Sequence, residues 1–304
     1  MIEVTYDKVT RMPYPKDITC GSEFLRRESE VSEETYKEAF HRGYEHLLRG
    51  DCYQFNLTYP FDFKLCSSYE EFFLVFLSQS SMHGSYAHLS HFPELGKTFL
   101  SNSPECLFQS KLKSEGVHMW SMPIKGTAPL KETRDWKKVW KSLSGSAKEQ
   151  AELYMICDLL RNDLAAIEKR PARVVAKKCP LQVPGLLHQF SLLDVNLSPQ
   201  IDLYKVLKGI FPGGSVTGAP KRRVMDILSQ LENERRGFYC GSTGVQFGPY
   251  HAASINIRSL TLSHESSVCR IPAGGGITLE SLSEGEYSEM KWKLNSFLSL
   301  WEVL

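Results

Sequence analysis

Two pairs of glutamates three positions apart stand out in this 304-residue sequence: Glu149 and Glu152 in "SAKEQAELYMICDLL", Glu286 and Glu289 in "SEGEYSEMKWKL". On a helix, residues at that spacing share a face. Taken alone, each pair reads as solvated surface. Brought together across a cleft, they would form the oxygen-rich setting that hard Mg²⁺ prefers. A lysine in "SMPIKGTAPL" poses a sharper question. Lys125 has Pro123 and Ile124 on one side and Gly126 and Thr127 on the other, a poor setting for a solvated ammonium. Either it is a surface lysine in a tight loop, or its amine has chemistry to do. Two Gly-rich strings, "FPGGSVTGAPK" and "PAGGGITLE", lead toward helices and could turn backbone N–H groups toward an anion. The first is not a P-loop, because Ala219 and Pro220 intervene before Lys221.

Other chemistries find little support. His83, His88 and His91 of "HGSYAHLSH" lack zinc-site spacing, and neither HExxH nor a GxSxG elbow occurs. His188, in "GLLHQFS", reads locally as a core histidine. Lys plus Arg number 36 against 35 Asp plus Glu, a net charge of +1, which gives no electrostatic footprint for nucleic acid or an anionic membrane. The apolar run "FFLVFL" is too short to span a bilayer, and "MIEVTYDKVTRMPYP" lacks a signal-peptide core. Eight cysteines without a CxxC pair read as reduced thiols. A soluble, cytoplasmic protein is the expectation.

Periodicity indicates the helices and strands that carry these residues. A helix is predicted from Ser32 to Gly50, a strand over "CYQFNLTYPFDF", a helix over "SYEEFFLVFLSQ", and a long helix over 146–168. "KTFLSNSPECLFQS" and "GVHMWSMPIKGT" read as strands flanking a charged turn, and "ARVVAKK" as a strand followed by a loop reaching His188. "FPGGSVTGAPKRRVMDILSQL" reads as a Gly turn entering a helix. "YCGSTGVQF" and "AASINIRSLTL" read as strands, and a second Gly turn leads into the final helix. Residues 1–30 read as a leader, and no linker divides the rest of the chain.

In order along the chain, "GDCYQFNL", "SNSPE", "PIKGT", "AELYMICDLLRNDL", "FPGGSVTGAPKRRVMDIL", "RRGFYCGSTG", "INIRS" and "GGGI…EYSE" resemble the chorismate-utilising enzymes, over residues 32 to about 298. The resemblance implies an α+β fold, a four-layer α-β-β-α sandwich of the anthranilate synthase component I type with its site in a cleft. It also implies one chorismate-binding catalytic domain over 31–304. Water-adding members carry a lysine base where this chain has Gln54, and a neutral amide cannot take a proton from water. Anthranilate synthases typically place alanine where Lys125 stands, whereas aminodeoxychorismate synthases place lysine there.

By the same resemblance, Lys125 is a covalent nucleophile, which must shed its proton to act, and Glu105 is the general acid/base. Glu152 and Glu289 would hold Mg²⁺, with Glu286 in support. Arg258 would clamp a carboxylate, with Tyr239, Gly274, Gly276 and Thr217 lining that end, and Thr127 and His188 near the leaving hydroxyl and ring. The expected product is 4-amino-4-deoxychorismate, with ammonia from a glutamine amidotransferase partner. An anthranilate synthase component and a catalytically silent chorismate-binding protein are the rival readings. Departures are Ala128 and Leu130 in "GTAPL", where members often have arginines, and a longer interval between Glu105 and Lys125. Typical members also carry a further N-terminal region; a chain starting near "SEETYKEAF" is expected to lack a tryptophan site and to dock its partner weakly.

Overall fold

Strand β2 (Gln54–Leu65) shows how the layers arise. Its alternate residues Phe55, Leu57, Tyr59, Phe61, Phe63 and Leu65 are all buried in one apolar cluster, because successive strand side chains point to opposite faces. The computed structural model describes residues 24–130, 135–183 and 186–301. Helices α1 (Glu33–Leu48), α2 (Tyr69–Ser78), α7 (Lys221–Leu231) and α8 (Ser283–Leu298) cover that cluster, to which neighbouring strands add Leu100, Leu260 and Ile271. Ser32 caps α1 by accepting from the Thr35 amide at 3.1 Å, and Ser68 caps α2 in a reciprocal box with Glu71. The first sheet runs in the order β1 (Leu25–Ser29), β2, β14 (Val268–Ile277), β13 (Ser259–Ser263), β4 (Lys97–Ser103), β3 (Tyr86–Phe92), with β10 (Gly218–Ala219) also paired to β2.

The second sheet runs β11 (Gly244–Phe247), β12 (Tyr250–Ser254), β5 (Cys106–Lys113), β6 (Gly116–Met122), β9 (Leu186–Leu197), β7 (Ile124–Pro129), and β8 (Arg173–Val183) also pairs with β9. Strands β6 and β7 meet the same strand in succession. Val117–Ser121 lie opposite Leu197–Leu193 and Ile124–Pro129 opposite Phe190–Leu186. Pro123 separates them, its carbonyl accepting from the Ser191 amide at 3.2 Å. Helices α4 (Ala147–Glu168) and α5 (Leu203–Ile210) close a second apolar cluster over this sheet, through Leu153, Leu164, Val206 and Ile210. Helix α3 (Trp136–Gly145) packs by Leu143 against Leu130 and Leu187. Helices, sheet, sheet and helices thus form the α-β-β-α sandwich.

Two short crossings between the sheets lie side by side. Strand β4 leaves the first sheet and β5 begins in the second after only Pro104 and Glu105; β12 returns to β13 through Ile255–Arg258. The crossings bond to each other: the Ile255 amide donates to the Glu105 carbonyl at 3.0 Å and the Asn102 amide to the Arg258 carbonyl at 2.8 Å.

Several expectations are corrected. "KTFLSNSPECLFQS" and "AASINIRSLTL" each supply two strands in different sheets. Of the stretch expected as a loop before His188, residues 179–183 and 186–187 are strand: β8 continues to Val183 through Pro180, which edge position tolerates, and His188 lies in β9 between paired neighbours; residues 184–185 lie outside the described residues. "PAGGGI" is no turn but part of β14, paired along β2 from Val268 to Ile277. The end of the expected leader forms β1 against β2; residues 1–23 lie outside the described residues. Helices α3 and α5 are additions to the sequence reading, being short amphipathic pieces beside the stronger pattern of α4.

Gly43 marks the closest approach of α1 to the first sheet, since a Cβ there would lie 2.3 Å from Phe55 Cζ and 2.9 Å from Leu231 Cδ1. Gly43→Ala should therefore destabilise by about 1–3 kcal/mol through overpacking, despite alanine's better helix propensity. Urea unfolding checks the sign.

Candidate active site

A cavity of about 540 Å³ opens between the sheets, bordered by α8 and the start of α4, a size suited to a small ligand. Lys125 reaches it from β7 because the strand is irregular. Register shifts between Lys125 and Thr127, and Gly126 takes φ +82°, in the left-handed region. A Cβ on Gly126 would lie 2.8 Å from both Gln189 Nε2 and Glu149 Oε2, so the position has no room for a side chain. The lysine of the turn-rich string is thus aimed by its neighbour. Its Nζ stands 4.0 Å from Glu152 Oε2, both side chains being largely buried. A Cβ on Gly276 would lie 3.1 Å from that Nζ and 2.3 Å from Gln54 Nε2, which places amine, amide and glycine together.

Glu105 occupies the first crossing, 5% exposed, and its Oε1 makes no hydrogen bond among the described residues. Burial pushes its carboxyl up from the ordinary range, opposed by the nearby Ser215 hydroxyl and by the charges of Lys125 and Lys293. A carboxyl whose protonated form is favoured in this way can serve as an acid. Arg258 ends the second crossing with φ +48°, an uncommon backbone for a non-glycine residue. It lines the cavity, burial pushes its pKa down, and no carboxylate pairs with it among the described residues. A part-buried guanidinium in that state suits the carboxylate of a ligand. Tyr239 lies alongside, its phenol pushed up by burial. His188 shares a 2.9 Å hydrogen bond with Thr127 through Nδ1, while its buried Nε2 has no partner among the described residues. Burial, reinforced by the charge of Arg258, lowers its pKa to about 4, so the ring is neutral at neutral pH.

The acidic residues gather at the other end. Glu149 and Glu152 from α4 and Glu286 and Glu289 from α8 line the same cavity. Ser281 donates to Glu286 at 2.6 Å, and Lys293 Nζ lies 2.7 Å from Glu289 and donates to the Gly274 carbonyl at 3.1 Å. This all-carboxylate donor set fits a hard divalent cation, although no three ligating side chains converge into a ready-made cage among the described residues. Of the residues singled out in the sequence, Gln54 and Thr217 stand behind the wall: Gln54 is fully buried, and Thr217 donates to the Gly213 carbonyl at 2.7 Å. The others line the cavity. Sequence reasoning missed Lys293, Ser215 and Asn56. Lys293 was within reach, being four positions after Glu289 on the same helical face.

The family model for chorismate binding enzymes matches residues 4–299. The chain belongs to this family. Among its relatives, aminodeoxychorismate synthase component 1 of Escherichia coli (strain K12) is 35% identical over 287 residues, 93% of this chain and 60% of that protein. Anthranilate synthase component 1 3 of Haloarcula marismortui is 35% identical over 206 residues, 67% of this chain and 40% of that protein. The crystal structure of anthranilate synthase component I from Streptococcus pneumoniae TIGR4 aligns with a TM-score of 0.80 at 24% identity, over 94% of this chain and 62% of that one, and shares its fold. This chorismate binding enzyme spans about three fifths of the length of the aminodeoxychorismate synthase relatives it matches.

The two perturbed groups act on stability in opposite directions. Glu105 has a raised folded pKa, so its contribution is full below the ordinary carboxyl range and is lost as pH rises through the folded value. Glu105→Gln should accordingly melt higher than the parent at pH 8 and gain little at pH 4. His188 has a lowered pKa, so its contribution is present above 6.5 and is lost as pH falls through about 4, on the order of 3 kcal/mol. Melting curves of His188→Gln from pH 7 to pH 4 should lose that part of the acid sensitivity.

Proposed function

We propose that this chorismate binding enzyme is a cytoplasmic aminodeoxychorismate synthase component, converting chorismate and ammonia to 4-amino-4-deoxychorismate for p-aminobenzoate and folate biosynthesis. The observation that carries the reading is Lys125, an amine aimed into the cavity by the Gly126 irregularity and left room by Gly276. In its neutral form the Lys125 amine attacks carbon 2 of the ring. The double bond shifts and the hydroxyl on carbon 4 leaves as water with the proton of Glu105. Ammonia then bonds to carbon 4, the shift reverses, and the bond from carbon 2 to the lysine nitrogen breaks, returning a neutral amine. Glu105 regains its proton from the new ammonium group, so the cycle closes with water as the by-product.

The remaining residues bind and orient. Arg258, beside Tyr239, would hold the enolpyruvyl carboxylate in its planar fork. Neutral His188 would hold Thr127 toward the departing hydroxyl. Glu152 and Glu289, with Glu286, would hold Mg²⁺, which when bound supplies charge neutralisation for the ring carboxylate. A glutamine amidotransferase would deliver the ammonia.

Incubation of the purified chain with chorismate, Mg²⁺ and ammonium, followed by mass analysis, should give 4-amino-4-deoxychorismate. Anthranilate would instead identify an anthranilate synthase, and unchanged chorismate a silent binding protein. Lys125→Ala should lower turnover roughly 10³-fold, about 4 kcal/mol of barrier, and acid-quenched parent enzyme should carry a chorismate-derived adduct on Lys125. A fully active alanine variant with no adduct on the parent would sink the nucleophile.

Metal and partner give separate tests. Excess EDTA should stop turnover, and Glu152→Gln or Glu289→Gln should raise the Mg²⁺ needed for half-maximal rate by about tenfold or more, the scale of one lost charge-assisted contact. Glutamine should replace ammonium only when an amidotransferase is added; turnover of glutamine by the lone chain would remove the partner from the scheme.

A further inference from the structure

Behind the cavity wall lies a part-buried ion pair for which the catalytic scheme has no use. Arg236 follows α7 in the string "NERRGFYCG", and its side chain and that of Glu232 are 16% and 10% exposed. Arg236 Nε donates to Glu232 Oε2 at 2.8 Å and Nη2 to Glu232 Oε1 at 2.6 Å, a bidentate pair. The same guanidinium reaches two backbone carbonyls, Asn56 through Nη2 and Val216 through Nη1, both at 2.7 Å. Glu232 Oε1 in turn accepts from the Thr58 amide at 3.0 Å and the Thr58 hydroxyl at 2.9 Å. One planar group therefore ties strand β2 to the single helical turn α6 (Gly214–Thr217).

We propose that Arg236 is a positioning residue, a clamp that sets the spacing between the cavity wall at Asn56 and Thr58 and the wall at Ser215 and Val216, and so fixes Ser215 beside Glu105. The inference rests on the reading of Glu105 as the acid of the amination. Three observations carry it. Asn56, Thr58, Ser215 and Val216 all line the catalytic cavity. Asn56 Nδ2 and Glu105 Oε1 are buried without a hydrogen bond among the described residues, and the Ser215 hydroxyl stands near Glu105, so both clamped walls present polar atoms to the cavity. Finally, the pair is bonded to both walls at once, through the Asn56 and Val216 carbonyls and the Thr58 amide and hydroxyl, a fixed geometry that charge alone does not require. The turn's other anchors act away from Ser215: Lys221 donates to the Ile210 and Pro212 carbonyls, and β10 pairs with β2 at Phe55 and Gln54.

Arg236→Lys keeps the charge and loses the fork. The groups acting on Glu105 are Lys125 from β7, Lys293 from α8 and the Ser215 hydroxyl from α6, with Tyr239 and Cys240 beside them. Of these, only Ser215 belongs to a clamped wall, and its hydroxyl holds the Glu105 pKa down. Difference infrared spectroscopy of the ligand-free protein, with Glu105→Gln as the blank, reads this carboxyl directly. Arg236→Lys should move its protonation midpoint to higher pH, Ser215→Ala should move it the same way, and the double variant should add nothing further. In ammonium-driven turnover, kcat of Arg236→Lys should fall about 10- to 100-fold with KM for chorismate changed less than about threefold, and added methylguanidinium should restore part of the rate of Arg236→Ala. A folded Arg236→Lys with unchanged midpoint and unchanged kcat overturns the clamp. If Arg236 variants fail to fold, Thr58→Val, which removes one bond to Glu232, should still move the midpoint; no movement there overturns it too. A moved midpoint in Arg236→Lys, together with a parent that makes no aminated product, leaves the clamp standing and rejects the proposed function.

Discussion

The paired crossing of two strands between the sheets is the constraint that holds the site together. Strands β4 and β13 are neighbours in one sheet and β5 and β12 in the other. The chain therefore passes from layer to layer twice at the same place. The short connections cannot complete a ladder, so they satisfy their backbone groups on each other, as buried peptide groups must. Ser103 Oγ adds to this by donating to the Ile255 carbonyl at 2.5 Å. Glu105 and Arg258 stand in these connections and line the gap between the sheets, where Lys125, Thr127 and His188 enter from strands. The left-handed backbone of Arg258 is the visible cost of that placement.

Around those two residues the layers distribute charge unevenly. Carboxylates come from the helices α4 and α8, whereas Arg258 comes from the crossing and Lys125 from an edge strand. Lys125 and Lys293 each face a carboxylate, at 4.0 Å and 2.7 Å, while Arg258 faces none among the described residues. A ligand bearing two carboxylates meets complementary groups at both ends: a bare guanidinium at one, and cations shared with acids, or a metal among those acids, at the other. Burial in the gap strengthens the contact of Lys125 with Glu152, and the same burial favours the protonated form of Glu105 and keeps His188 neutral.

Much of this is legible in the sequence, and the rest is hidden for identifiable causes. Helices α1, α2 and α4 announce themselves through capping serines at 32, 68 and 146 and through sustained periodicity. Lys125, Glu105 and the glutamate pairs emerge from residue type, spacing and family strings. The crossings are invisible because apolar alternation runs straight through "SNSPECLF" and "SINIRSLT", and no local signal says that a strand changes sheets. The sequence pattern puts His188 at the end of a loop because prolines at 180 and 184 mask the start of β9. Thr217 is placed in the site by its string, yet its hydroxyl closes its own helical turn. Arg236 reads only as part of a motif, since its three attachments, to residues 56, 216 and 232, are set by the tertiary fold.

The glycines near Lys125 show why composition around a functional residue carries information that the residue itself does not. Gly126 and Gly276 lie on strands of different sheets, so nothing local requires both to be small. Each is fixed by what stands where its Cβ would be: Gln189 and Glu149 for the first, Gln54 and Lys125 itself for the second. Adding a methyl group at 126 would strain φ and push against the α4 carboxylates; adding one at 276 would press on the amine. Lysine, amide and two glycines thus form one steric unit spanning both sheets. The "PIKGT" and "GGGI" strings, more than a hundred residues apart in the chain, are two halves of a single packing requirement.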